Sequence, residues 1–107
     1  MGNKQFTNVN ECIKVKEVNI NGKLLIGVEI DLPGAPLILL KGSKGFVMCG
    51  YLDITTVNKL GIVAARVSGV KSVEELLEKE IAMASEKAIE VGVKPGKKVL
   101  DIVDLIA

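Results

Sequence analysis

The stretch Gly45-Phe46-Val47-Met48-Cys49-Gly50-Tyr51-Leu52-Asp53 decides how the rest of the chain is read. Four apolar residues bracketed by glycines suit a strand covered on both faces, and Asp53 stands where a helix N-cap belongs. Strand, tight corner and helix start in succession make a place for a ligand, although the stretch holds no strong catalytic motif. Beyond it, Ile54, Val57 and Leu60 keep helical spacing and Gly61 fits the C-cap. Residues 62–67 read as the next strand. About a dozen residues between the two strands is near the shortest connection that returns a strand parallel through a helix. A right-handed β-α-β crossover is therefore expected.

Upstream, residues 1–11 are polar and aperiodic and read as a flexible end. Ile13 and Val15 share one side of a strand, and Val18 and Ile20 resume the alternation one residue late, which predicts a bulge at Lys16-Glu17. Asn21-Gly22 tolerates positive φ at both centres of a type I′ turn, so a hairpin forms there. The return strand sets Leu24, Ile26, Val28, Ile30 and Leu32 on one face, expected to be buried, and Leu25, Gly27, Glu29 and Asp31 on a mixed one. Pro33-Gly34-Ala35-Pro36 ends the hairpin. Residues 37–40 form a third strand, apolar on both faces, and Gly42-Ser43-Lys44-Gly45 turns it back. That turn has amides enough for an anion, but a plain hairpin turn is the simpler reading.

Downstream, Ser72-Val73-Glu74-Glu75 is a capping box. The stripe Val73, Leu77, Ile81, Ala84, Ala88 and Val91 predicts one helix ending at Gly92, with the charged run at Lys79-Glu80 as the place for a kink. Val99, Leu100, Val103 and Ile106 give a last short helix. The expected fold class is α+β, an α/β-type single domain over residues 1–107. It comprises N-terminal antiparallel β-hairpins, a mixed sheet with a β-α-β crossover and two further C-terminal helices.

Composition narrows the chemistry. The chain has no histidine, which removes triad-type hydrolysis and His-ligated metal sites. No metal or cofactor is expected. A net charge of +1 and only three aromatic residues, Phe6, Phe46 and Tyr51, argue against nucleic acid as a partner. No apolar run approaches a membrane span, and Phe6 stands where a myristoylation signal needs Ser or Thr. Cys12 and Cys49, with no signal-like stretch before them, read as free thiols in a reducing cytoplasm. Three modest helices cannot cover both faces of so apolar a sheet, so a second copy is the expected cover, meeting it through residues 12–41.

The blocks Met48-Cys49-Gly50, Ala64-Ala65-Arg66-Val67-Ser68-Gly69-Val70 and Ser72-Val73-Glu74-Glu75-Leu76-Leu77 resemble the YunC-like family of bacterial and archaeal proteins. The resemblance runs from about the first hairpin to Gly92. It implies a small α/β domain whose N-terminal β region mediates tetramerisation, and it carries over no activity and no site residue.

The candidate site lies at the carboxyl ends of the two parallel strands, where open α/β sheets bind ligands. Helix amides there, with Gly50, Tyr51, Asp53, Arg66 and Ser68, would suit a small anion such as a carboxylate or phosphate. Lys71 could add a donor. Cys49 is either a small buried hydrophobe or a catalytic or redox-sensitive thiol, its thiolate stabilised by the helix N-terminus. Asp53 is an N-cap or a ligand contact. Arg66 serves a subunit interface or an anion, and Tyr51 is a rim aromatic or a hydrogen-bonding group. A protein with no activity beyond its assembly is the remaining alternative.

Overall fold

The computed structural model describes residues 2–7 and 11–107. The flexible end expected over residues 1–11 falls partly on Met1 and residues 8–10, outside the described residues. Residues 2–7 carry no regular secondary structure and are exposed. Strand β1 (Ile13–Ile20) turns at Asn21 and Gly22, with φ of 54° and 77°, into β2 (Lys23–Ile30). Then come β3 (Leu37–Lys41), β4 (Phe46–Met48), α1 (Ile54–Leu60) and β5 (Ala64–Arg66). After α2 (Val73–Glu78), β6 (Met83–Ala84) and α3 (Glu86–Val91), a 3-10 turn (Val99–Ile102) leads into α4 (Val103–Ile106). The six strands form one sheet in sequence order, antiparallel except for the β4–β5 pair, which α1 connects. The α+β class, the hairpins and the crossover are as expected.

Three local expectations need correction. No bulge interrupts β1: its pairing with β2 runs unbroken from Ile13↔Ile30 to Ile20↔Lys23. The alternation lapses because Ile13 and Val15 face one side of the sheet while Val18 and Ile20 pack on the core on the other. The helix expected over 73–91 is broken into α2, β6 and α3. Ser85 is the cause. Fully buried, its hydroxyl donates to Ile62 O at 2.6 Å and accepts from the amides of Ala64 and Ala88, tying the start of α3 to the strand beside it. Residues 82–85 then bond along the edge of β5, with Ala82 N donating to Arg66 O and Ser85 N to Ala64 O, both at 2.8 Å, while Ile81 N donates to Lys97 O at 2.8 Å and Lys79 O accepts from Val99 N at 2.9 Å.

The third correction concerns the faces of the sheet. Leu25, Ile38, Leu40, Val47, Ala65 and Val67 line the buried face, under Val73 and Leu76 of α2 and the apolar residues of the C-terminal segment, including Val99, Ile102 and Ile106. On β2 this is the mixed face, and the all-apolar one looks outward. Gly27 makes the burial feasible, since a Cβ there would lie 2.8 Å and 2.9 Å from the two methyls of Val73. Two residues on, Glu29 accepts from Val73 N at 2.8 Å and from Lys16 Nζ at 2.8 Å. Ser72 accepts from Glu75 N as a capping serine should, so the carboxylate that completes the cap comes from the sheet.

On the opposite face, α1 covers β4 and β5, where Val57 and Leu52, just before the helix, pack with Ala64, Phe46 and Met48. The turn over residues 42–45 directs its amides to carbonyls: Gly42 N donates to Gly45 O at 2.9 Å. Lys44 N and Gly45 N both donate to Ile106 O, at 2.9 Å and 3.2 Å, which closes the hairpin turn over the end of α4.

The Glu29 contact sets an acid limit on stability. Burial pushes its carboxyl up, but the bonds from Lys16 and Val73 outweigh burial and leave it below the ordinary glutamate value of 4.5. Such a group contributes stability above its unfolded value and loses it as pH falls through the folded one. Glu29→Gln should therefore be less stable than wild type at pH 7, by about 1–3 kcal/mol. The gap should narrow as the pH falls below 4.5. Urea unfolding midpoints at pH 7 and in acid would check it.

Candidate functional site

The corner after β4 is built by backbone bonds. Cys49 N donates to Ile38 O at 3.0 Å, extending the β3–β4 ladder, and Leu52 N donates to Cys49 O to close a turn over Gly50 and Tyr51. The Cys49 thiol points to the buried face. It accepts from Ile38 N at 3.4 Å, lies 3.9 Å from Pro36 O, and leaves the residue 4% exposed. Tyr51, half exposed, crosses to the β2–β3 loop, where its hydroxyl donates to Ala35 O at 2.9 Å.

Between these groups and the β5–α2 loop lies a cleft of about 280 Å³, walled by Ala35, Pro36, Tyr51 and Val70, with Cys49, Gly50 and Gly69 completing it. It opens at the carboxyl ends of β4 and β5. Among the described residues no charged side chain lines it. Across Pro36 a second cleft of about 300 Å³ is polar, bordered by Lys14, Lys71, Glu11 and Asp31, with Cys12 and Glu29 beside them.

The structure therefore brings Cys49, Gly50 and Tyr51 into one cleft and leaves the other three candidates outside it. Ser68 is exposed and adjoins the wall at Gly69. Asp53 caps α1: one carboxylate oxygen accepts from Thr55 N at 3.0 Å and the other from Thr56 Oγ1 at 2.9 Å. The Thr56 hydroxyl, first among these partners, holds its carboxyl below the ordinary value. Arg66 lies on the face opposite Cys49, because β5 pairs Met48 with Arg66 and Val47 with the buried Ala65. Its guanidinium donates to Leu52 O at 3.3 Å and contacts Met83 Sδ, and among the described residues it forms no ion pair. α1 packs on that same opposite face, so its N-terminus does not face the Cys49 thiol.

Among the described residues no group of three or more Cys, Asp or Glu side chains is arranged to hold a metal, and no helix is long and apolar enough to cross a membrane. Both cysteines are free, Cys12 exposed and Cys49 buried.

Residues 48–106, from the end of β4 through α4, match the family described as a domain of unknown function, DUF1805. The chain belongs to the DUF1805 family. The uncharacterised protein YunC of Bacillus subtilis (strain 168) is 28% identical over 88 residues, 78% of this chain and 87% of its own length. A crystal structure of TA1206, a protein of unknown function from Thermoplasma acidophilum, matches with a TM-score of 0.87 and 39% identity, over 89% of this chain and 93% of that one. The YunC-like resemblance of the sequence blocks is thus a true one. The DUF1805 segment supplies Cys49, Gly50, Tyr51, Gly69 and Val70 to the cleft, while Ala35 and Pro36 come from the β2–β3 loop that precedes it. Those two were read only as turn residues, because nothing in Pro33-Gly34-Ala35-Pro36 signals that the turn leans over a cysteine thirteen positions later.

The two thiols should differ sharply towards a small alkylating reagent. In the folded protein Cys12 should react at least about tenfold faster than Cys49, since access limits a buried thiol. Mass spectrometry of the two peptides after brief iodoacetamide treatment would measure the ratio, and unfolding in urea should bring it close to one.

Proposed function

We propose that this DUF1805 protein works as the subunit of a homo-oligomer joined through the outward face of β1, β2 and β3, with the Cys49 corner as a small-molecule cleft. The observation that carries the assembly is the uncovered apolar face. Val15 is 66% exposed, Leu24 58% and Ile13 44%, and beside them Ile26, Val28, Ile30 and Leu39 are only half buried. Contiguous apolar surface of this kind on a lone chain marks an interface. The accessible surface is 6820 Å², against about 5,800 Å² for a compact monomer of this mass. The extended residues 2–7 contribute part of the excess. A standard interface removes about 800 Å² from each partner. The radius of gyration, 14.9 Å, likewise exceeds the roughly 13 Å of a closed domain of this size. The YunC-like resemblance adds that the oligomer is a tetramer. The two free cysteines suit a reducing cytoplasm.

Val28→Asp sets a carboxylate in the middle of this face. Sedimentation velocity at high micromolar concentration should show the wild type as a homo-oligomer and the variant as a smaller species, having lost this contact, with an unchanged circular dichroism spectrum. A monomeric wild type would reject the assembly.

The adjoining clefts favour a narrower reading of the corner itself, a small anionic ligand with an apolar body. Pro36, Val70 and the Tyr51 ring offer the apolar walls, and Lys71 follows Val70 into the polar cleft, where it replaces Arg66 as the cation within reach. Thiol chemistry at Cys49 is less well supported, given its burial and its two backbone partners. Titrating labelled protein with benzoate, and with phosphate as the anion alone, should shift the amide resonances of Gly50, Tyr51, Gly69 and Val70 together for benzoate. Lys71→Gln should weaken that response severalfold. Shifts scattered over the surface, or none, would reject the ligand.

A further inference from the structure

The outward face of the first three strands is a grid whose rows are fixed by the pairing register. Cross-strand partners share a face. One row is Ile13, Ile30, Leu37, the next is Val15, Val28, Leu39, and the third is Glu17, Ile26, Lys41. Alternation leaves two charged side chains on this face of the three strands, Glu17 on β1 and Lys41 on β3. Both are exposed, they have opposite sign, and they flank Ile26 on the central strand in the same row.

Two copies of such a face can meet about a two-fold axis lying between the sheets, and its direction decides which side chains oppose. An axis across the strands along the charged row sets Glu17 over Glu17 and Lys41 over Lys41. One shifted to the neighbouring row sets Glu17 over Ile13 of the other copy, burying a carboxylate against a methyl group. Both arrangements are penalised, the first by like-charge repulsion and the second by desolvation without a partner. An axis parallel to the strands and passing over β2 keeps every row on itself and exchanges β1 with β3. It lays Val15 on Leu39, Val28 on Val28 and Glu17 on Lys41. Aligned packing of two sheets at about −30° is the common geometry for such faces.

We propose that two copies of this chain pair face to face about a two-fold axis along β2, with Glu17 of each copy against the partner's Lys41. The proposal rests on the assembly reading above and adds its geometry and its specificity-determining pair. The two charges frame an apolar patch and set the register of one sheet on the other. A sheet with a different charge row would be rejected.

A charge-swap series read by sedimentation equilibrium tests it. Glu17→Lys and Lys41→Glu should each weaken the pairing by about tenfold or more, since each creates two like-charge contacts across the two-fold. The double variant E17K/K41E should return to within about threefold of wild type, because it exchanges the signs and keeps the pair. The neutral variants Glu17→Gln and Lys41→Gln, both at exposed positions, should weaken pairing less than the reversals and guard against a folding defect. Single reversals that leave the pairing unchanged, or a double variant as weak as the sum of its singles, would overturn this axis. If Val28→Asp still dissociates the oligomer in that case, the face is the interface and the geometry is wrong. If it does not, the assembly reading fails as well.

Discussion

Glu29 reaches from near the end of β2 to the amide of Val73, and Gly27, one pleat away on the same face, leaves room for the Val73 side chain. Together they fix how close α2 comes to the sheet and where along it the helix begins. Any side chain at position 27 would have to lift the helix or displace Val73, at a cost of the order of 1–3 kcal/mol for an overpacked contact. The loop that leads into α2 carries Gly69, Val70 and Lys71, which wall the two clefts, so the clefts inherit their shape from this contact. Lys16 extends the anchor to β1 and, through Glu74, back to the helix. Its ammonium, hydrogen-bonded first to Glu29 and then to Glu74, is held above its ordinary range.

The same contact explains why the more apolar face of β2 is left outside. The helices all follow β1–β4 in the chain, and α2 can approach β2 only over a glycine. That selects the face carrying Leu25, Gly27 and Glu29. α1 crosses on the other side but spans only seven residues, enough for β4 and β5 alone. Ile13, Val15, Ile26, Val28 and Leu39 are then an excess of apolar surface that none of the described elements buries.

Features with a local cause were legible in the sequence. The Asn21-Gly22 hairpin, the Asp53 and Ser72 caps and the Gly61 terminus each rest on residues within a few positions of one another, and the crossover on the length of one connection. Features that depend on register or on distant partners were not. Whether Arg66 shares a face with Cys49 is decided by the offset between β4 and β5, which no neighbouring residue encodes. Ser85 inside an apolar stripe carried a signal, since serine favours caps over helix interiors. Its buried partners, Ala64 and Ile62, lie more than twenty positions earlier. Of the candidate site, the corner and its thiol could be read, whereas the Pro36 wall and the second cleft could not.

The turn between β3 and β4 bears on how the protein is made. Its amides and the Ser43 hydroxyl are completed by carbonyls of Ile106 and Ala107, the latter 64 positions away. During synthesis the first hairpin can form as soon as it emerges, but the short β4 has no secure turn until residue 106 has been added. Loop closure over that distance must precede its reward, the circumstance that slows folding. Through that interval the apolar strands lack their C-terminal cover, and transiently exposed apolar surface and unpaired edges are what make partly folded chains prone to aggregate.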